Sequence, residues 1–203
     1  MPFKKLHASL KEALERLEIE SATNFQKNAI PKIKSGANIF GIAPKESGKT
    51  TAMIINTLQK LQCKAEGDAP RAIIIIESKK DAQELHAKFL EFTKYTDLRV
   101  YMGYEELHID IQKSEIYMGI DILISTPKNL QKLFLTNGVS ISQLKIFFVD
   151  DADFLIQRKE ITSLTTTSES IKKCQYIILA EKLNPKLDRL KDYFMTNSTV
   201  IKI

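Results

Sequence analysis

Residues 41–50 read GIAPKESGKT, and this stretch decides the fold. It closes an apolar segment, NIFGIA (38–43), that reads as a short strand, and it opens GKTTAMIINTLQKLQ (48–62), which reads as a helix. A glycine-containing loop between a strand and a helix leaves backbone N–H groups free to face phosphate, with a helix N-terminus behind them. In that arrangement Lys49 reaches the β- and γ-phosphates and the Thr50 hydroxyl ligates Mg²⁺. A Gly-Lys-Thr tripeptide is common by chance, and its place between strand and helix is what gives it weight. Glu46 is out of keeping, because such loops favour a small residue that lies against phosphate.

Working outward, strand and helix patterns alternate. Strands are expected at RAIIIIES (71–78), LRVYMG (98–103), IDILIST (120–126), LKIFFVDDADF (144–154), CQYIILAE (174–181) and STVIKI (198–203). The β-branched run at 71–78 is the mark of a strand buried on both faces. Helices are expected at SLKEALERL (9–17), with Leu10, Leu14 and Leu17 on one face, and at NFQKNAIPKIKSG (24–36), which contains Pro31 and stops at Gly36. Three more are expected at 79–95, at 127–137 with Pro127 at its start, and at NPKLDRLKDYFM (184–195). Alternation of this kind implies one α/β domain, a parallel sheet of six or seven strands covered on both faces. No linker divides it, so residues 1–203 are read as a single unit, with 1–35 leading into a core at 36–203.

KIFFVDDADF (145–154) supplies the second half of a nucleotide site. Four apolar residues deliver Asp150 to the carboxyl end of a strand, where an aspartate holds Mg²⁺ through water. Asp151 beside it is placed to orient or deprotonate an attacking water. Three acids at a strand end also suit a solvated turn; the loop upstream favours the paired reading. In a parallel sheet both motifs reach the same carboxyl edge, where ligands bind.

The order of motifs resembles the first RecA-like domain of the DEAD-box RNA helicases, nearly end to end. TNFQKNAIPKI (23–33) resembles the Q motif, with Gln26 as the glutamine that reads adenine, and Phe3 resembles the upstream aromatic that stacks on the base. GANIFGIAPKESGKT (36–50) resembles the family's GRDVLGIAQTGSGKT loop, which implies nucleotide contacts from Ala43, Ser47, Gly48, Lys49 and Thr50. IIIIESKKDAQEL (73–85) stands where PTRELA stands, Gly103 holds the first place of GG, and ILISTPKNL (122–130) resembles TPGR through Thr126 and Pro127. VDDAD (149–153) is DEAD with one residue changed.

The resemblance implies a three-layer RecA-like P-loop NTPase fold, ATP and Mg²⁺ as cofactors, and single-stranded RNA as partner. RNA contacts fall to Ser78, Lys79, Lys80, Gly103, Thr126, Pro127 and Lys128, directed at the sugar–phosphate backbone and therefore tolerant of sequence. For Lys79, Lys80 and Lys128 an ordinary solvated helix start is an equal reading. The family's second RecA-like domain, which supplies arginines to the γ-phosphate and half of the RNA groove, is expected outside these residues, in cis or in trans.

Several positions depart from the family. Pro44, Lys45 and Glu46 replace QTG; Glu46 sets a negative charge beside a triphosphate unless it pairs with Lys45 or Lys49. Asp151 replaces glutamate, and Ala180-Glu181-Lys182 replaces SAT, so the two hydroxyls that link hydrolysis to strand separation are gone. Asn129 replaces the arginine of TPGR. The resemblance with these departures implies one of two functions: an ATP-binding helicase domain impaired in hydrolysis, or a pseudo-helicase that binds RNA or protein without turnover.

The remaining features are read as structural. The net charge of +5 suits a polyanion partner without requiring one. No apolar run approaches the ~20 residues of a membrane span, and the N-terminal residues lack the apolar region of a signal peptide, so no membrane partner and a cytoplasmic place are expected. Cys63 and Cys174 are read as buried thiols. His7, His86 and His108 match no metal spacing and are read as surface residues. Tyr101, Tyr104 and Tyr117 are read as rim packing, Met102 and Met118 as core filling, and TSLTTTSES (162–170) as an exposed loop or helix cap.

Overall fold

The computed structural model of the chain describes residues 2–156, 158–171 and 173–203. Among the described residues seven strands form one sheet: β1 (Ile39–Ile42), β2 (Ala72–Ile75), β3 (Val100–Gly103), β4 (Ile122–Ser125), β5 (Ile146–Val149), β6 (Gln175–Ala180) and β7 (Thr199–Lys202). Their spatial order is β3-β4-β2-β5-β6-β1-β7, and every neighbouring pair is parallel. Helices α1 (Ala8–Arg16), α2 (Asn24–Lys34), α3 (Lys49–Lys60) and α4 (Lys79–Thr93) belong with one face. The other is covered by α5 (Ile109–Tyr117), α6 (Pro127–Leu135), α7 (Arg158–Glu169) and the short α8 (Pro185–Asp188). Among the described residues no helix is long and apolar enough to cross a membrane.

The period of two along each strand builds the two cores. Ala72 and Ile74 face the first cluster with Ile122, Ile124, Ile146 and Phe148. Ile73 and Ile75 face the second with Leu123, Phe147 and Val149. Every residue of β2 is buried, as expected for a strand covered on both sides. Helix starts are set by local chemistry. Thr23 and Gln26 form a reciprocal capping box at α2, Ser78 and Asp81 form another at α4, and Thr126 caps α6 ahead of Pro127.

Three expectations change, and one helix was not foreseen. The polar run at 162–170 lies largely within α7, with Ser163, Thr165, Thr167 and Ser168 buried. Its hydroxyls return to the helix's own carbonyls, Thr165 to Ile161 at 3.1 Å and Thr167 to Ser163 at 3.1 Å, so they enter the core already satisfied. The helix expected over 184–195 is α8 followed by a 3-10 turn at Arg189–Asp192, with Leu187 and Leu190 buried. Helix α5 had no reading in the sequence: only Gln112 and Ile116 of its residues are buried, and a histidine, His108, is its N-cap. Tyr117 and Met118, at its end, are 88% and 77% exposed rather than packed at the rim or in the core.

The amino edge of the sheet is tied by a buried ion network. Asp121, fully buried, accepts from Arg71 Nη2 at 2.6 Å, from Arg99 Nε at 2.9 Å, and from the backbone N–H groups of Arg99 and Glu66 at 3.0 Å each. Burial by itself raises the Asp121 carboxyl, but these donors outweigh it and hold the group below the usual aspartate range. Removing one partner strands a buried charge, so Asp121→Ala should cost roughly 3–5 kcal/mol in urea unfolding at pH 7. Because the folded value is depressed, this stabilisation is complete above the unfolded value of about 4 and fades as pH falls through the folded one. The gap between wild type and Asp121→Asn should therefore narrow only in acid.

Candidate nucleotide and nucleic-acid edge

Strand order divides the carboxyl edge into two halves. Strands β5, β6 and β1 are adjacent and deliver Asp150, Glu181 and the Gly41–Thr50 loop side by side. Strands β3, β4 and β2 are adjacent on the other side and deliver Gly103, Thr126 and Ser78.

The loop is stitched to α2. Thr23 Oγ1 donates to the Ser47 carbonyl at 2.7 Å, and Gln26 Nε2 donates to the Gly48 carbonyl at 3.2 Å. Gln26 Oε1 accepts from Thr23 N at 3.0 Å, so both ends of this buried amide are engaged within the chain. Gly48 has φ +86°, and a Cβ there would meet Gln26 Nε2 at 2.5 Å, so only glycine fits. Phe3 packs beside the first core cluster, ahead of α1.

Lys49 is buried, and its ammonium donates to the carbonyls of Ala43 at 2.8 Å and Pro44 at 3.0 Å. It also lies 3.6 Å from Asp151 Oδ1. Lys45 pairs with Glu181 at 3.6 Å. Both lysines that were candidates to neutralise Glu46 thus have other acids as partners. Glu46 itself is exposed, where water screens it, but it holds φ +59°, a left-handed backbone that favours glycine. Asp151 is also left-handed, at φ +43°.

Asp150 is 7% exposed and accepts from Thr50 Oγ1 at 3.0 Å. Burial first, then the neighbouring Asp151 charge, pushes its carboxyl up to about 6, against the opposing hydrogen bond from Thr50 and the charge of Lys49. Asp153 accepts from the Glu181 N–H at 2.8 Å and ties the acid turn to the end of β6. A cleft of about 290 Å³ opens here, with Thr50, Asp150, Asp151 and Glu181 among its lining residues. A desolvated carboxylate beside a hydroxyl is a donor set that fits Mg²⁺. Among the described residues the buried Ser47 hydroxyl has no hydrogen-bond partner, which fits a loop that accepts a further polar group.

In the other half, Ser78 caps α4 and is held by Asp81, its hydroxyl donating at 2.6 Å and its N–H at 3.1 Å. Lys79 lies 4.8 Å from the Tyr104 ring centroid, and Lys80 lies 3.7 Å from Glu84. Thr126 is buried and donates to Glu105 at 2.8 Å. Pro127 is buried behind it and Lys128 is exposed. Gly103 is boxed in: a Cβ at this position would collide with the Gln112 amide and meet Asn129 Nδ2 at 2.8 Å. Asn129 is fully buried and pairs with Gln112 at 2.8 Å, so it contributes to the interior and not to the surface.

Thr23, Glu105 and Gln112 escaped the sequence reading. The T-x-x-Q spacing of a capping box was a usable signal for Thr23. Glu105 and Gln112 had none, since their partners lie 21 and 17 residues away. The histidines take structural roles: His7 and His108 cap α1 and α5, and His86 bonds the Val100 carbonyl at 3.2 Å. Cys63 is buried and Cys174 half-buried, and burial raises both thiols, to about 11 and about 12. Among the described residues no group of His, Cys, Asp and Glu forms a ready metal cluster.

The raised Asp150 carboxyl carries a stability consequence. Between about pH 4 and 6 the folded chain retains a proton that the unfolded chain has released, so ionisation at neutral pH disfavours the fold. Asp150→Asn keeps an oxygen for Thr50 and removes the charge. It should stabilise the chain by roughly 3 kcal/mol above pH 6.5, with the gain vanishing near pH 4, in unfolding series run across that range.

Comparison with known proteins agrees with this geometry. The family model described as DEAD/DEAH box helicase matches residues 23–181. The chain is 25% identical over 190 residues to the pre-mRNA-processing ATP-dependent RNA helicase PRP5 of Meyerozyma guilliermondii, covering 90% of this chain and 22% of that protein. It is 27% identical over 160 residues to the DEAD-box ATP-dependent RNA helicase rde-12 of Caenorhabditis elegans, covering 75% of this chain and 17% of that one. The chain thus spans about a fifth of the length of these curated relatives. In structure it resembles S. cerevisiae Dbp5, solved with Nup159, Gle1, IP6 and ADP, with a TM-score of 0.87 at 16% identity over 98% of this chain and 52% of that one, a likeness of fold. With both motif halves in family order on one sheet edge, the chain belongs to the DEAD-box helicase family and forms its N-terminal RecA-like domain, with substituted motifs.

Proposed function

We propose that this domain binds adenine nucleotide with Mg²⁺ and single-stranded RNA as half of an RNA helicase engine, and that alone it does not turn ATP over. The observation that carries this reading is the Thr50–Asp150 contact at 3.0 Å beside the Lys49 ammonium, on a loop stitched to Gln26. Thr50 and Asp150 would hold Mg²⁺, which when bound supplies charge neutralisation on the phosphates. Lys49 leaves the Ala43 and Pro44 carbonyls to meet phosphate oxygens, while backbone N–H groups of Ser47 and Gly48 cradle them. Gln26 reads adenine by giving up its partners Thr23 and Gly48, and Phe3 stacks on the base by leaving its packing against the core. Asp151 positions water. Ser78, Lys79, Lys80, Thr126 and Lys128 contact the RNA backbone, the buried Gly103 and Pro127 shape the loops that carry them, and a second RecA-like domain, in cis or in trans, completes both sites. A cytoplasmic place is part of this reading.

Three features oppose turnover. An arginine supplied by a second domain is worth ~10³ or more in rate. Asp151 is one methylene shorter than glutamate, and its carboxylate is already turned to Lys49. Glu181 adds negative charge to the cleft where phosphoryl transfer builds it. The Lys45–Glu181 pair and the loss of the SAT hydroxyls favour the second reading, a pseudo-helicase that binds RNA or protein without hydrolysis.

Mg-ADP and Mg-ATP should raise the melting temperature of the wild-type chain, and Lys49→Ala should weaken nucleotide binding by roughly tenfold or more in calorimetry. Tight binding that survives Lys49→Ala would remove this loop as the phosphate site. Phosphate release with saturating Mg-ATP and RNA should match the Asp150→Ala background, and turnover above it would establish an active enzyme.

A further inference from the structure

We infer that Glu105 is a built-in occupant of the RNA edge: its carboxylate stands where a phosphodiester oxygen would be bound, and RNA engages Thr126 by displacing it. This rests on the reading of single-stranded RNA as the ligand of that edge. Thr126 has a single hydroxyl proton, and it is committed to Glu105 Oε2 at 2.8 Å. Its oxygen also accepts from Asn129 N at the start of α6, which fixes the hydroxyl toward Glu105. A carboxylate and a phosphodiester present the same anionic oxygen to such a donor, so the two compete for one proton.

The position of Glu105 is enforced from beneath. Gln112 is 1% exposed, and its Nε2 donates to the Tyr104 carbonyl at 3.1 Å and to the Leu107 carbonyl at 2.8 Å. One buried amide thus grips the turn on both sides of Glu105. Asn129 Nδ2 donates to the other end of Gln112, its Oε1, at 2.8 Å, so the residue in the place of the family arginine secures the turn. The same turn carries Tyr104, whose ring lies under the Lys79 ammonium. Glu105 itself is exposed, so a ligand can move it without opening the core.

The test is fluorescence anisotropy of a labelled oligouridylate titrated with the wild-type chain, Glu105→Ala, Glu106→Ala, and Glu105→Ala combined with Thr126→Val. Glu105→Ala should tighten binding by about fivefold, because RNA no longer has to displace a carboxylate to reach the Thr126 hydroxyl. Glu106→Ala makes the same change in net charge and should tighten it by less than about twofold. Adding Thr126→Val should abolish the gain of Glu105→Ala. Equal gains from both glutamates, a gain that survives loss of the Thr126 hydroxyl, or no gain at all would overturn the inference while leaving RNA as the ligand. Absence of RNA binding by every variant would overturn the RNA reading and this inference together.

Discussion

All seven strands of the sheet run the same way, so every strand's carboxyl end lies on one edge. A parallel sheet needs helices on both faces to bury it, and those helices force each connection to cross back to the opposite edge. The loops leaving the carboxyl edge are thereby gathered along one line, in strand order and not in chain order. Residues 50 and 150 meet because β6 alone lies between β1 and β5. The same rule assembles Ser78, Gly103 and Thr126 beside them. The buried Arg71–Asp121–Arg99 network sits at the amino ends of β2, β3 and β4 and secures that half of the sheet from below.

On the carboxyl edge, the groups with affinity for phosphate are already engaged. The Lys49 ammonium is held by two carbonyls and Asp151, Lys45 by Glu181, the Ser78 hydroxyl by Asp81, and the Thr126 hydroxyl by Glu105. A ligand gains only the difference between its own contacts and those it replaces. Exposed pairs such as Lys45–Glu181 are worth little and yield readily. The buried Lys49 and Asp150 differ, since their charges have lost water and are held by a few fixed neighbours. That contrast puts the costlier rearrangement at the buried Lys49 and Asp150 and the cheaper one at exposed partners such as Glu105.

Much of this is legible in the sequence alone. Alternating strand and helix patterns, the β-branched run at 72–75, capping residues and the Gly-Lys-Thr and Asp-Asp-Ala-Asp segments are local signals, set by backbone sterics and by the period of burial. They determined the α/β class, the starts of the helices α3, α4 and α6 that border the site, and the identity of Lys49, Thr50 and Asp150 as neighbours of one another. What stayed hidden was of two kinds. Helix α5 and the buried hydroxyls of α7 lack the apolar stripe that marks a helix, because their polar groups are satisfied by bonds within the fold. Glu105, Gln112 and Asp121 have ordinary surface-residue identities, and their roles come from partners 17 to 50 residues distant. From the sequence came the strands, the helices that border the loop and the meeting of Lys49, Thr50 and Asp150 at one edge, since these follow from short-range spacing. Only the tertiary structure decided what each of those residues holds in place of a ligand, since a hydrogen bond depends on where the sheet order brings two distant loops together.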